Sequence, residues 1–147
     1  MRRILLSISF LFLFTGFLMA QQGGEGTPPL KVKAIFTAKY PDYAEQAKWE
    51  RTANGYIATF QQNGQEVRTE FNENGEWISS RTAVRQEEWP EPARKYITDT
   101  FKDYEYVEGY RLDNQKGSRY ELDIRSNNQL FELQFDRQGG LVDDGRS

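Results

Sequence analysis

The 147-residue sequence contains neither cysteine nor histidine. Without cysteine no disulfide can staple the fold, and no thiolate is present to bind a metal or attack a substrate. Stability must therefore come from packing. Without histidine the usual general base near neutral pH is missing, and so is the commonest zinc ligand. No glycine-rich phosphate loop precedes a helix pattern, and no serine stands in a nucleophile-elbow context. The carboxylate pairs Glu87-Glu88 and Asp143-Asp144 fall in a linker and a tail, where nothing would move their pKa values apart as acid and base work requires. Positive charge is also short, with 19 Lys and Arg against 22 Asp and Glu. No basic run interleaved with aromatics offsets that balance, which excludes nucleic acid as a partner. These absences point to a chain that is not an enzyme and carries no cofactor or metal.

What is present begins with an address. Met1-Arg2-Arg3 is a basic start, residues 4–19 form an apolar run, and Ala20 precedes the polar Gln21-Gln22-Gly23-Gly24. That order reads as a secretory signal peptide over residues 1–20, and a retained anchor is the other reading of the same run. Removing it leaves 17 basic against 22 acidic residues, a net charge of −5. The expected location is periplasmic or secreted, with no stable membrane insertion after cleavage.

The remaining chain repeats itself. At an offset of 64, Tyr56, Ala58 and Phe60 fall on Tyr120, Leu122 and Ile124, while Val67, Thr69 and Phe71 fall on Phe131, Leu133 and Phe135. Upstream the offset becomes 61, aligning Tyr40, Tyr43 and Trp49 with Phe101, Tyr104 and Tyr110. The three extra residues of the second copy are expected within residues 113–118. In each copy an apolar stripe at helical spacing comes first, Val32, Ile35, Phe36 and Tyr40, then Ala93, Tyr96, Ile97 and Phe101. Prolines stand near each helix start, and Pro41 ends the first helix. Alternating runs follow, joined by Asn63-Gly64 and Asn127-Asn128, whose residues accept positive φ and so signal hairpins. A leading strand (46–52 and 106–113) and a trailing one (76–84 and 141–142) complete each unit.

The predicted fold is thus α+β, a two-layer α/β arrangement made by tandem duplication of a helix plus a four-stranded antiparallel sheet. Residues 21–27 are expected as a flexible linker, 28–84 as the first repeat, 85–91 as a linker and 92–147 as the second repeat, both packed as one domain. Trp89 is expected to plug the junction.

In order, Tyr40-Pro41, Trp49-Glu50, Gly55-Tyr56, Asn63-Gly64, Phe71-Asn72-Glu73-Asn74-Gly75 and Phe135-Asp136-Arg137-Gln138-Gly139 resemble the β-lactamase-inhibitor-like (BLIP-like), PepSY-like proteins of bacterial envelopes. The likeness covers nearly all of the chain after residue 20. It implies the tandem helix-plus-sheet unit and, as a general expectation, protein binding or inhibition. The chain departs from the inhibitors themselves in lacking disulfides and in carrying no acid on the hairpin Gln62-Asn63-Gly64-Gln65. Those departures put β-lactamase itself in doubt as the target.

Alternation assigns Tyr56, Ala58, Phe60, Val67, Thr69, Phe71 and their counterparts to the core. The opposite sheet face then carries Thr59, Arg68, Glu70, Glu121, Asp123, Arg125, Glu132 and Gln134. This mixed-charge surface is the candidate partner-binding face; a solvated face whose charges pair across strands is the plainer reading. The aromatics Trp49, Trp77, Tyr40, Tyr106 and Tyr110 are expected in the core, whereas Tyr43 and Tyr104, just past the helix ends, are expected at the surface. The acidic turns 72–75 and 136–139 read as hairpin turns, with a calcium or small-ligand site as the alternative. The expected partner is an unknown envelope or extracellular protein; a purely structural envelope role is the further alternative.

Overall fold

A computed structural model of the chain describes residues 24–145, and the predicted signal segment lies outside them. Nine strands form one antiparallel sheet in strict chain order: β1 (Gly24–Glu25), β2 (Lys48–Thr52), β3 (Gly55–Gln62), β4 (Gln65–Asn72), β5 (Trp77–Ala83), β6 (Glu105–Asn114), β7 (Gly117–Ser126), β8 (Gln129–Asp136) and β9 (Leu141–Asp143). Helix α1 (Leu30–Lys39) lies between β1 and β2, and α2 (Glu91–Thr100) between β5 and β6. Residues 24 and 25, read from sequence as part of a flexible linker, instead pair with Arg51 and Glu50. Two residues carry too little alternation to announce a strand.

Ten-residue helices are too short to be stable alone, so each is held by what it buries. Val32 and Phe36 of α1 pack on Tyr56, Ala58, Phe60, Val67 and Phe71, and Ala93 and Ile97 of α2 pack on Leu122, Ile124, Leu133 and Phe135. Tyr40 ends α1 with its N–H on the Phe36 carbonyl, and Pro41 opens a 3₁₀ turn over Pro41–Tyr43. Asn63 and Gly64 have φ of 54° and 77°, and Asn127 and Asn128 have 50° and 62°, the positive values a two-residue hairpin requires. The other long turns end in Gly75 and Gly139, at φ of 84° and 89°. A Cβ there would come within 2.9 Å of Ile35 Cδ1 or 2.8 Å of Pro90 Cβ, so both glycines also let a helix sit against the turn.

Register makes the two halves comparable. Tyr56 pairs with Phe71, Ala58 with Thr69 and Phe60 with Val67; 64 residues on, Tyr120 pairs with Phe135, Leu122 with Leu133 and Ile124 with Phe131. Each half also has a register shift at the same place, beside Phe71 and beside Phe135. Reading across the centre, Val67, Thr82, Arg111 and Tyr120 stand opposite one another on β4 to β7, which puts both helices on one face of the sheet.

Upstream the correspondence differs from that expected. Trp49 pairs with Ala58, but the residue paired with Leu122 is Gly109, not Tyr110. An extra residue at Val107 bulges β6, and the β6–β7 hairpin runs on to Asn114 and Gly117 where β2–β3 stops at Thr52 and Gly55. The added length is used: Asn114 and Asp113 pair with Ser79 and Ser80, two of the five residue pairs that join the halves. The seam therefore contains the buried Ser80 and Thr82 and the Arg111–Asp113 ion pair, at 2.9 Å. Trp89 does not plug it; the indole is buried in the second core beside Val84, Tyr104 and Tyr106.

Candidate binding face

The sheet face away from the helices is built by strand alternation alone. Thr59, Arg68, Arg81 and Leu112 are mutually opposite across β3 to β6, and Ile57, Glu70, Ser79 and Asn114 form the next row. Beyond the seam, Glu108, Asp123 and Glu132 form one row across β6 to β8, and Tyr110, Glu121 and Gln134 another. Arg125 stands opposite Glu105. All eight sheet residues singled out from sequence thus share this face.

Tyr43 and Tyr104 do not join them. Both are half-buried on the helix side, Tyr43 with its ring 5.2 Å from Phe60 and Tyr104 stacked 6.5 Å from Trp89 with its hydroxyl accepting from Gln86 Nε2 at 2.6 Å. The chain turns back over its own core after each helix, which the end of the helical pattern could not reveal.

Sequence reasoning also missed the centre of the face. Arg81 lies with its guanidinium 3.6 Å from the Tyr110 ring centroid, a cation–π contact on the order of 0.5–1 kcal/mol. Tyr110, expected in the core, instead donates its hydroxyl to Glu108 Oε2 at 2.9 Å. Burial first, then the bond to Glu108 and that group's negative charge, raise the Tyr110 hydroxyl above the ordinary tyrosine range. Ile57, Arg68, Glu70, Ser79, Arg81 and Leu112 line a shallow depression of about 240 Å³ over the seam. The signal that could have found Arg81 is its alternation with Ser80 and Thr82, but the register shift beside Phe71 hides which parity faces outward.

Charge is distributed unevenly. In the first half opposite charges alternate, with Arg68 3.5 Å from Glu50. In the second half Arg119 reaches Glu121 at 2.9 Å and Arg125 reaches Glu105 at 3.5 Å, but Glu108, Asp123 and Glu132 stand side by side. Burial, followed by the charges of Glu132 and Glu108, raises the Asp123 carboxyl above the usual carboxylate range, while Arg81 acts against the shift. Arg68 and Arg81 are likewise directly opposed. Such like-charge pairings are destabilising in a free sheet.

The acidic turns employ their oxygens internally. Asn72 Oδ1 accepts from the N–H groups of Asn74 and Glu76 at 2.9 Å each, and Asp136 Oδ1 from those of Gln138 and Gly140 at 2.9 and 2.8 Å. Among the described residues no group of three or more acidic side chains is arranged to hold a metal ion, and no helix is long and apolar enough to cross a membrane.

A family model described as "Putative beta-lactamase-inhibitor-like, PepSY-like" matches residues 54–143. No curated protein matches the chain. Solved structures share its fold. One described as a "putative periplasmic" protein from Bacteroides eggerthii is 20% identical with a TM-score of 0.71, over 80% of this chain and 88% of that one. A DUF2874 family protein from Bacteroides ovatus is 21% identical with a TM-score of 0.71, over 80% and 86%. A BLIP-like protein from Bacteroides fragilis is 19% identical with a TM-score of 0.69, over 84% and 92%.

Proposed function

The chain belongs to the β-lactamase-inhibitor-like, PepSY-like family, and from that premise we propose that it is a non-catalytic protein-binding module, exported to the envelope, whose open sheet face receives a partner protein. The family name favours an inhibitor or modulator of an envelope enzyme, and the description of the Bacteroides eggerthii neighbour as periplasmic favours the compartment.

The observation that carries the reading is the row Glu108, Asp123 and Glu132, three carboxylates side by side on adjacent strands. Folding places them there against their mutual repulsion, and a partner that brings a lysine or arginine over the row relieves it. Arg68 and Arg81 offer the converse half of the pattern, an invitation to an acid, across the depression floored by Ile57 and Leu112. We read the two halves as copies of one ancestral unit, because their core pairs recur in the same register 64 residues apart.

Immobilising the protein and identifying what it retains from envelope extract of its host tests the proposal. The native chain is expected to retain one protein that an Asp123→Lys/Glu132→Lys variant loses, while Lys31→Glu on the helix layer keeps it. Retention that is identical for all three proteins, or absent at every salt concentration, would overturn the assignment of the sheet face.

A further inference from the structure

The halves differ along the flank of each helix that looks toward its following strand. In the second half the chain fills this flank itself. Trp89 is 2% exposed, edge-on to Tyr106 at 5.2 Å and stacked on Tyr104, and Arg94 Nη2 donates to the Trp89 carbonyl at 3.4 Å. Tyr106 in turn lies over Gly109, where an added Cβ would come 3.1 Å from its hydroxyl.

At the helical offset of 61 the first half has Pro28 in place of Trp89 and Lys33 in place of Arg94. The chain leading to β2 brings Ala44 and Ala47 where the second half brings Tyr106. None of these three small residues reaches across the flank. What remains beside α1 is a groove in two parts, about 270 Å³ and 440 Å³, which share Lys33 and Trp49 as walls. Phe36 lies at the base of the smaller part, its ring 5.2 Å from the half-buried Trp49 indole, and Lys48 borders the larger. Lys33 and Lys48 are both exposed, and neither side chain makes a hydrogen bond or ion pair among the described residues. The single acid on the lining is Glu45.

We propose that this groove is a second recognition site, taking an extended segment of a partner protein that presents an aromatic side chain beside a carboxylate. Two features fix that chemistry. An aromatic floor with a cationic rim complements a ring carrying a neighbouring negative charge. The chain's own occupant of the corresponding flank is of the same kind, since Trp89 arrives on the segment Gln86-Glu87-Glu88-Trp89. The groove opens on the helix layer at the β2 edge of the sheet, where Lys48, in register with Thr59, marks its border with the open face, while Lys33, Phe36 and Trp49 belong to the helix side. Its test reads the helix-side residues and so stands or falls independently of the sheet face.

The test is titration of ¹⁵N-labelled protein, expressed from the full-length sequence, with the capped peptide Gly-Gln-Glu-Glu-Trp-Pro-Gly. Saturable shifts are expected at the Trp49 indole N–H and at the amides of residues 33–37 and 47–49. A peptide with alanine for tryptophan should produce none. Lys33→Glu should weaken binding about fivefold, the scale of one exposed charge pair. Pro28→Trp, which puts the second half's residue at its counterpart, should abolish the shifts while preserving the rest of the spectrum. If that variant does not fold, the Lys33→Glu and alanine-peptide arms decide the question. No saturable shift up to millimolar peptide, or shifts confined to the sheet face, would overturn the proposal.

Discussion

Thr69 in the first half and Leu133 in the second hold the same register position, opposite Ala58 and Leu122, and both are buried. The first core is thereby threaded by a polar chain. Trp77 Nε1 donates to Ser80 Oγ at 2.9 Å, Ser80 Oγ to Thr69 Oγ1 at 2.9 Å, and Thr69 Oγ1 to the Ser79 carbonyl at 3.3 Å. Tyr40 completes it at 3.0 Å from Ser80 Oγ, as donor because the serine proton is already committed. The second core has no such chain: its buried cluster is apolar, Ser126 Oγ donates separately to the Lys102 carbonyl at 3.1 Å, and the buried indole donor Trp89 Nε1 has no hydrogen-bond partner among the described residues. One scaffold thus tolerates two solutions. A fully satisfied network sits where β4 meets the seam, and dense aromatic packing lies where the linker folds under α2.

The sharpest way to break the comparison is to remove Trp89. Trp89→Ala deletes a fully buried ring without costing it a hydrogen bond, and should lower stability by about 3–5 kcal/mol in denaturant unfolding. Trp49→Ala, at the half-buried and differently filled flank of the first half, should cost clearly less. Equal losses would erase the distinction between a filled and an open flank.

Next in size is Ser80→Ala. It strands the Trp77 indole and the Tyr40 hydroxyl together and is expected to cost about 2–3 kcal/mol. Because Ser80 also stands opposite Asp113 in the seam, amide exchange should accelerate in β5 and β6 more than in β8. Gly109→Ala sharpens the contrast between Trp49 and Tyr106. Its Cβ would meet Leu122 Cδ2 at 2.8 Å and push Tyr106 from the Val84 carbonyl, to which its hydroxyl donates at 2.6 Å, for about 1–2 kcal/mol.

The smallest effect is electrostatic. Asp123 faces Glu108, Glu132, Glu121 and Arg81, and its folded carboxyl holds a proton to higher pH than the unfolded one. Between those two pKa values the folded state binds more protons, so stability falls as pH rises through that window, and the ionised group is a burden at neutral pH. Asp123→Asn should raise the neutral-pH free energy of unfolding by about a few tenths of a kcal/mol. The gain should vanish as pH drops below the window. A gain that persists in acid would mean the effect is not ionisation.

Much of the fold was written locally. The Asn63-Gly64 and Asn127-Asn128 turns, the alternation of Tyr56, Ala58 and Phe60 against Thr59, and the helical stripes were legible because each depends on neighbours a few residues away. The eight sheet residues of the candidate face followed from the same alternation. What escaped depended on distant pairing. Between α2 and β6 the second half runs two residues shorter than the first and the bulge at Val107 restores only one, so the helical offset of 61 aligned Trp49 with Tyr110 although the sheet sets Trp49 against Gly109. That slip of one residue sends Tyr110 to the opposite face, and with it the Arg81 contact at the centre of the surface. Tyr43 and Tyr104 were misplaced for a related reason, since a chain turning back after a helix has no period to read.

The absence of cysteine allows the most direct test of the open face, because a single introduced thiol carries the only label in the protein. Gln134→Cys and Thr59→Cys place a photo-crosslinker on the open face, and Thr98→Cys places it on the exposed side of α2. Irradiation in host envelope extract is expected to yield the same crosslinked protein from positions 134 and 59 and none from position 98. A product from position 98 alone, or identical products from all three, would contradict a partner seated on the sheet.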